Sequence, residues 1–291
     1  MITLHRRLPV IAFLKKRRRL VPGIVIAALI ILYSVLIEPF DIEIHRVRIH
    51  DSSLARVLGH RVVVQLSDLH IDSIGHREQK VLDILETLQP DIIFLTGDYV
   101  TWRGNYEGAL DFLSRLKAKQ GVWAVMGDYD YSNSRKSCLF CHEKESREPT
   151  ARHEVRFLQN SRELLAVGEG EIRITGIDWN PEPDVQPPDV DLSGIGSLPD
   201  IVLSHSPLVF DFVPDNRHVF VLAGDTHGGQ VPLPGWVFGL LGYPKNARYN
   251  EGVFTRGKKT MFVSRGIGTS HLQLRLFRKP EVVVLQFVDG N

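Results

Sequence analysis

Apolar runs of three to five residues recur along this chain, and each is cut off by Gly, Asp, Ser or His. Val62–Leu66 ends in Ser67-Asp68-Leu69-His70, Ile92–Leu95 in Thr96-Gly97-Asp98, and Val122–Met126 in Gly127-Asp128. Ile201–Leu203 ends in Ser204-His205, and Val219–Ala223 in Gly224-Asp225-Thr226-His227. Short apolar runs bounded by such residues predict buried strands. Between the first three, the spacing switches to a helical period. Val81, Leu82, Leu85 and Leu88 predict a helix over His76–Gln89, stopped by Pro90, and Leu110, Leu113 and Leu116 predict another over Asn105–Lys119. Strands alternating with helices predict an α/β protein with a parallel sheet. Ile42, Ile44, Val47 and Ile49 are spaced as a half-exposed strand. Glu163–Val167, Ile172–Ile177, Thr260–Val263 and Val282–Phe287 read as further strands. Helices are sparse in the second half, so a second sheet is expected to pack on the first.

Three stretches break the pattern. Residues 132–153 are polar and charged and read as an insertion loop, and Asn180–Pro199 is a Pro- and Asp-rich loop. At the start, residues 1–19 form a basic tail with Arg6, Arg7, Lys15, Lys16, Arg17, Arg18 and Arg19. An uncharged run from Leu20 to Ile37 follows, about long enough to span a bilayer as a helix, which needs roughly 17–25 residues. A cleaved signal peptide is the rival, but its apolar core is shorter and no small-residue cleavage site precedes Glu38-Pro39. The expectation is a transmembrane signal anchor over residues 20–40. The basic flank places the N-terminus inside and the domain over residues 41–291 outside the cytoplasm, on an inner membrane.

Composition adds little beyond this. The chain has 291 residues, ordinary apolar content and a net charge of +1, which argues against disorder and against bulk nucleic-acid binding.

The chemistry sits where the apolar runs stop. Strand ends in an open sheet converge on a common crevice. A single Asp after a strand is usually a turn former or helix cap, but five strand ends that each carry Asp or His describe a metal site. The residues Asp68-Leu69-His70, Gly97-Asp98, Gly127-Asp128-Tyr129-Asp130, His205 and Gly224-Asp225-Thr226-His227 resemble the calcineurin-like metallophosphoesterases. Gly228-Gly229-Gln230 and Ser264–Ser270 resemble the membrane-anchored branch of that family, which includes UDP-diacylglucosamine pyrophosphatases of lipid A synthesis. The resemblance implies a four-layer α/β/β/α sandwich with two divalent metals at the strand ends. It implies that Asp68, His70 and His227 hold one metal, that Asp98 bridges both, and that Asp128, His205 and Asp225 hold the second. Two adjacent cations clamp a phosphate and activate a water, so the expected reaction is hydrolysis of a phosphodiester or pyrophosphate.

The chain departs from the family pattern at Asp128 (Asn in the family), Asp225 (His) and Tyr129 (His). The two added carboxylates make the second site rich in oxygen, which favours manganese, magnesium or iron over zinc. Tyr129 stands where the family has a catalytic His, and an ordinary tyrosine, with a pKa of about 10, is a poor proton shuttle at neutral pH. A catalytically silent metal-binding module is therefore a rival reading.

Cys138, Cys141 and His142 form a C-x-x-C-H motif, the attachment pattern of haem c. His153 is a candidate distal ligand. A disulfide or another metal competes with haem at this loop, and a haem c redox or sensor protein is a second rival for the whole chain. Pro232–Pro244, PLPGWVFGLLGYP, reads either as core or as an apolar lip that meets acyl chains. With the anchor, it makes a lipid-linked phosphoester the expected substrate. Lys258, Arg265 and Arg275 are candidates to meet its phosphate.

Overall fold

The computed structural model describes residues 8–102, 104–131, 138, 140–141, 150–178 and 198–290, with the backbone alone for residues 8–20. Two six-stranded sheets pack face to face. The first has the order β1-β12-β2-β3-β4-β5, from Glu43–His50, Glu281–Val288, Val63–Leu66, Ile92–Thr96, Gly121–Val125 and Arg156–Phe157. The second has the order β10-β11-β9-β8-β7-β6, from Gly252–Arg256, Lys259–Val263, Val219–Ala223, Asp200–Ser204, Gly170–Ile177 and Ser161–Val167.

The strands β2, β3 and β4 run parallel, as do β7, β8, β9 and β11. The C-terminal strand β12 is inserted between β1, which it meets in parallel, and β2, which it meets antiparallel. The period-2 arrangement divides each strand between two cores. Val63, Ile92, Phe94, Trp123 and Val125 face Ile174, Ile201, Leu203, Phe220 and Leu222 between the sheets. Val64, Leu66, Ile93 and Leu95 face outward, where α3 (His76–Leu88) and α4 (Tyr106–Arg115) cover them with Val81, Leu85, Phe112 and Leu113. Among the described residues, the outer face of the second sheet packs instead on a short 3-10 turn, Pro207–Asp211, and on Tyr249.

Beyond the sequence reading stand α2 (Ser52–Leu58), capped by the Asp51 carboxylate, the edge strands β5 and β10, and two short helices after the last motif, α5 (Gly235–Leu240) and α6 (Pro244–Arg248). The predicted loop over Asn180–Pro199 lies almost entirely outside the described residues, as do His142 and most of residues 132–153.

At the start of the chain, α1 (Leu8–Leu36) is one continuous helix that takes in the basic cluster as well as the apolar run. The stretch Val21–Phe40, which runs a few residues past the end of α1, is long and apolar enough to cross a membrane, with only 11% of it buried. The end of α1 is tied to the domain. The backbone N–H of Arg275 donates to Ser34 O at 2.9 Å, and that of Arg278 to the buried Glu38 carboxylate at 2.5 Å.

Cys138 and Cys141 form a disulfide, with Cys138 buried against Met126. The haem c expectation is corrected here: both sulfurs are bonded to each other, and a haem thioether needs each of them. The rival that rested on that haem loses its support.

Candidate metal centre

Strands β2, β3, β4, β8 and β9 deliver their C-terminal residues to one edge of the sandwich. There the chain must turn sharply while aiming a side chain back across the strand ends. Asp68, His70, Asp98, Asp225 and His227 all adopt positive φ, between 45° and 76°. Residues other than glycine rarely do so, and such strain collects at functional sites because surrounding structure holds it in place. The glycines of the G-D motifs allow the close approach. A Cβ on Gly127 would lie 2.1 Å from Asp98 Oδ1, and one on Gly224 would lie 1.9 Å from Ser67 Oγ.

Asp68, His70 and His227 come together, buried, with one potential ligand atom from each within 4.8 Å of the others. Nδ1 of His70 lies 3.2 Å from Val100 O, and the Gly268 carbonyl hydrogen-bonds His227. A ring nitrogen that donates to a carbonyl leaves the other with its lone pair free. The two Nε2 atoms face each other at 3.1 Å. Burial, the largest influence, pushes the His70 pKa down to about 3 and that of His227 well down, so both rings are neutral. Two neutral imidazoles with facing lone pairs, beside the Asp68 carboxylate, are the donor set of a cation.

The second group is Asp68, Asp98 and His205. His205 Nδ1 is 2.8 Å from Thr96 O, and its buried Nε2 makes no well-aligned hydrogen bond among the described residues. That nitrogen faces carboxylates instead, 3.5 Å from Asp98 Oδ1 and 3.3 Å from Asp128 Oδ1. The other oxygen of Asp98, Oδ2, is 3.5 Å from His70 Nε2. One carboxylate thus turns an oxygen towards each group. Burial pushes the Asp98 pKa well up, and pushes Asp68 up to about 6. Burial also acts against the charge on His205, but Asp98, Asp128, Asp225 and Asp68 outweigh it and raise its pKa.

Asp225 is placed differently. It stands at this edge, but its carboxylate is ion-paired with Lys245 from α6 (Pro244–Arg248). Burial disfavours the Lys245 charge, yet the carboxylates of Asp225, Asp128 and Asp98 raise its pKa. Lys245 went unnoticed in the sequence because no spacing rule links it to a strand end. Asp130 was visible there only as part of a motif. Its buried carboxylate accepts from the backbone N–H groups of Asp98, Tyr99 and Gly127, each at 2.8 Å, and so holds the β3 and β4 turns together.

Tyr129 lies above this centre, its ring 4.7 Å from that of His70 and its backbone N–H donating to Asp98 Oδ1 at 2.9 Å. Burial raises its pKa beyond the usual tyrosine value, so its hydroxyl stays protonated. The three cations proposed for phosphate are not at the centre's mouth. Arg275 is fully buried: its guanidinium donates to the carbonyls of Arg265, Gly268 and Arg278 and lies 3.4 Å from His227 Nδ1, behind the centre. Arg265 is paired with Glu281. Lys258 precedes β11, at the end of the sheet opposite the centre. Beside the centre opens a cavity of about 530 Å³, whose wall includes His70, Tyr129, Trp102, Thr269 and His271.

The calcineurin-like phosphoesterase family model matches residues 61–229. The chain belongs to this family. It is similar to the metallophosphoesterase YkuE of Bacillus subtilis, at 26% identity over 89% of this chain and 90% of that protein. It is also similar to the phosphodiesterase YaeI of Escherichia coli, at 28% identity over 69% of this chain and 71% of YaeI. A third relative is the UDP-2,3-diacylglucosamine pyrophosphatase LpxG of Chlamydia trachomatis, at 26% identity over 77% of this chain and 82% of LpxG. The family uses two divalent metals, and the Asp/His clusters described above fit them. The chain is a metal-dependent phosphoric ester hydrolase.

Proposed function

We propose that this protein is a membrane-anchored hydrolase of a lipid-linked phosphodiester or pyrophosphate, with Asp68, His70 and His227 holding one cation, Asp98 bridging, and Asp128 and His205 holding the other. The observation that carries the lipid reading is the apolar surface beside the centre. Trp236 and Leu240 on α5 (Gly235–Leu240) are 70% and 78% exposed, and Leu272 and Phe277 are 69% and 66% exposed. The segments bearing them are joined by the hydrogen bond from Leu276 N to Gln230 O, and the second is joined to the end of α1 by that from Arg275 N to Ser34 O. Leu272 and Phe40 also border the cavity. A bilayer around Val21–Phe40 would bring its interface to this rim, where acyl chains and aromatic rings sit together.

The cations, when bound, supply Lewis-acid polarisation of the phosphoryl group and of a water. The chain's own residues orient them. Asp130 fixes the turns that carry Asp98 and Asp128, and Thr96 O and Val100 O fix the ring orientations of His205 and His70. Manganese suits the carboxylate-rich half better than zinc.

The anchor is single-pass with its basic end inside the cell, which puts the domain on the extracytoplasmic side of an inner membrane. The Cys138–Cys141 disulfide supports that side, because such bonds persist in oxidising compartments. The pyrophosphate substrate in LpxG's name has the chemistry of this class, but lipid A synthesis from that nucleotide sugar requires the domain to face the cytoplasm. The full chain in detergent, assayed with manganese, magnesium, iron or zinc on an aryl phosphodiester and on phospholipid in mixed micelles, tests the reading. Turnover of both, abolished in Asp98→Asn, is expected. Turnover of the aryl diester alone, unchanged in Trp236→Ser/Leu240→Ser, removes the lipid substrate.

A further inference from the structure

Tyr129 occupies the place where the family pattern has a His, and a tyrosine hydroxyl gives up its proton too reluctantly to serve a leaving group at neutral pH. The cavity holds an imidazole that the metal centre does not use. His271 Nε2 is 3.5 Å from Tyr129 Oη, with ring centroids 6.2 Å apart, and both residues line the cavity beside His70.

The backbone presents His271 under constraint. Its φ is 53°, and Leu272 N donates across it to Ser270 O at 2.5 Å, a three-residue turn of the strained hand. Gln230 clamps both sides of that turn. Its Oε1 accepts from Ser270 N at 2.8 Å, and its Nε2 donates to Leu272 O at 3.4 Å. Gln230 follows His227 by three residues, so the loop that positions a metal ligand also positions His271.

We propose that His271 is the proton donor to the leaving oxygen, taking over the task of the absent family His, with Tyr129 orienting it. This rests on the hydrolase reading above. As water's oxygen bonds to phosphorus, the bond to the leaving oxygen breaks and its electron pair stays on that oxygen. The Nε2 proton of the imidazolium moves there, releasing the alcohol. The attacking water's proton passes to solvent, and the neutral imidazole regains one from solvent.

The test compares full-chain wild type and His271→Asn on two phosphodiesters, one with a p-nitrophenol leaving group and one with an alkyl alcohol. Asn tolerates positive φ, so the turn survives, and thermal melting checks this. General acids contribute about 10²–10⁴-fold. The variant is therefore expected to lose at least about 10²-fold in kcat/KM on the alkyl ester, which needs a proton. On the nitrophenyl ester, which does not, it should stay within a few-fold of wild type. His76→Asn, which alters another imidazole of the same cavity, should leave the ratio unchanged. Equal losses on both esters, no loss on either, or the same split in His76→Asn overturns the assignment while leaving the hydrolase intact. A wild type inert on both esters with all four metals overturns the hydrolase reading itself, and His271 with it.

Discussion

Around Asp68, His70 and His227, one carboxylate meets two neutral imidazoles whose free nitrogens face each other at 3.1 Å. Around Asp98, Asp128 and His205, two carboxylates meet one imidazole, and a third, Asp225, is engaged by Lys245. The first half is poor in carboxylates, and the protein cation that reaches it, Arg275, does so behind the His227 ring, 3.4 Å from Nδ1. The second is rich in charge, and the protein brings in an ammonium to offset part of it. Asp225 stands where the family has a neutral His. A carboxylate paired with an ammonium is, seen from outside, again a neutral unit. The difference between the halves is therefore smaller in net charge than the residue types suggest, and larger in how that charge is held.

The comparison breaks most completely at Asp98, which turns one oxygen to each half. Asp98→Asn should lower kcat by about a thousandfold or more, since it removes the shared charge from both. Metal analysis of the purified variant should show less than full loading. Next, His227→Ala touches only the first half. It should cost about a hundredfold in activity and leave one metal equivalent bound where wild type holds two.

Lys245→Met sharpens the other side. It exposes the Asp225 charge to an incoming phosphate, so KM should rise about tenfold with kcat nearly unchanged, because the ammonium that offsets Asp225 is lost rather than a metal ligand. A fall in kcat with KM unchanged would instead place Lys245 in the chemistry of the step.

The smallest effect is on stability. Burial raises the Asp68 pKa from 3.8 to about 6. A carboxyl group raised on folding binds its proton more tightly in the folded state. Its contribution is fully present below pH 3.8 and is lost as pH rises through about 6. Metal-free protein should therefore lose stability across that window, and a cation that accepts the carboxylate should restore it. The rise in melting temperature on adding manganese to chelator-treated protein should be larger at about pH 8 than at about pH 5. A pH-independent rise would show that Asp68 is not where the metal is bound.

Much of this was legible from the chain alone. Apolar runs ending in Asp or His identify the strands, because burial on both faces demands continuous apolar residues and the catalytic edge demands polar ones where they stop. That rule located Asp68, His70, Asp98, Asp128, His205 and His227, and the structure brings them to one edge. It did not reach Arg265 and Arg275, which were candidates for phosphate or plain surface charge, since a basic residue near a motif looks the same whether it faces solvent or props up a loop. The C-x-x-C-H spacing was equally ambiguous: the same two cysteines serve a thioether or a disulfide, and only their placement separates the outcomes.

The sequence by itself determined the strand ends, the family and the ligand types, because these follow from local pattern and residue chemistry. Tertiary structure alone decided three things. It placed β12 between β1 and β2, it paired Asp225 with Lys245 across twenty residues, and it brought His271 to Tyr129 across 142. Each is a contact between segments whose local sequences carry no mark of the other, so only the folded chain sets them side by side.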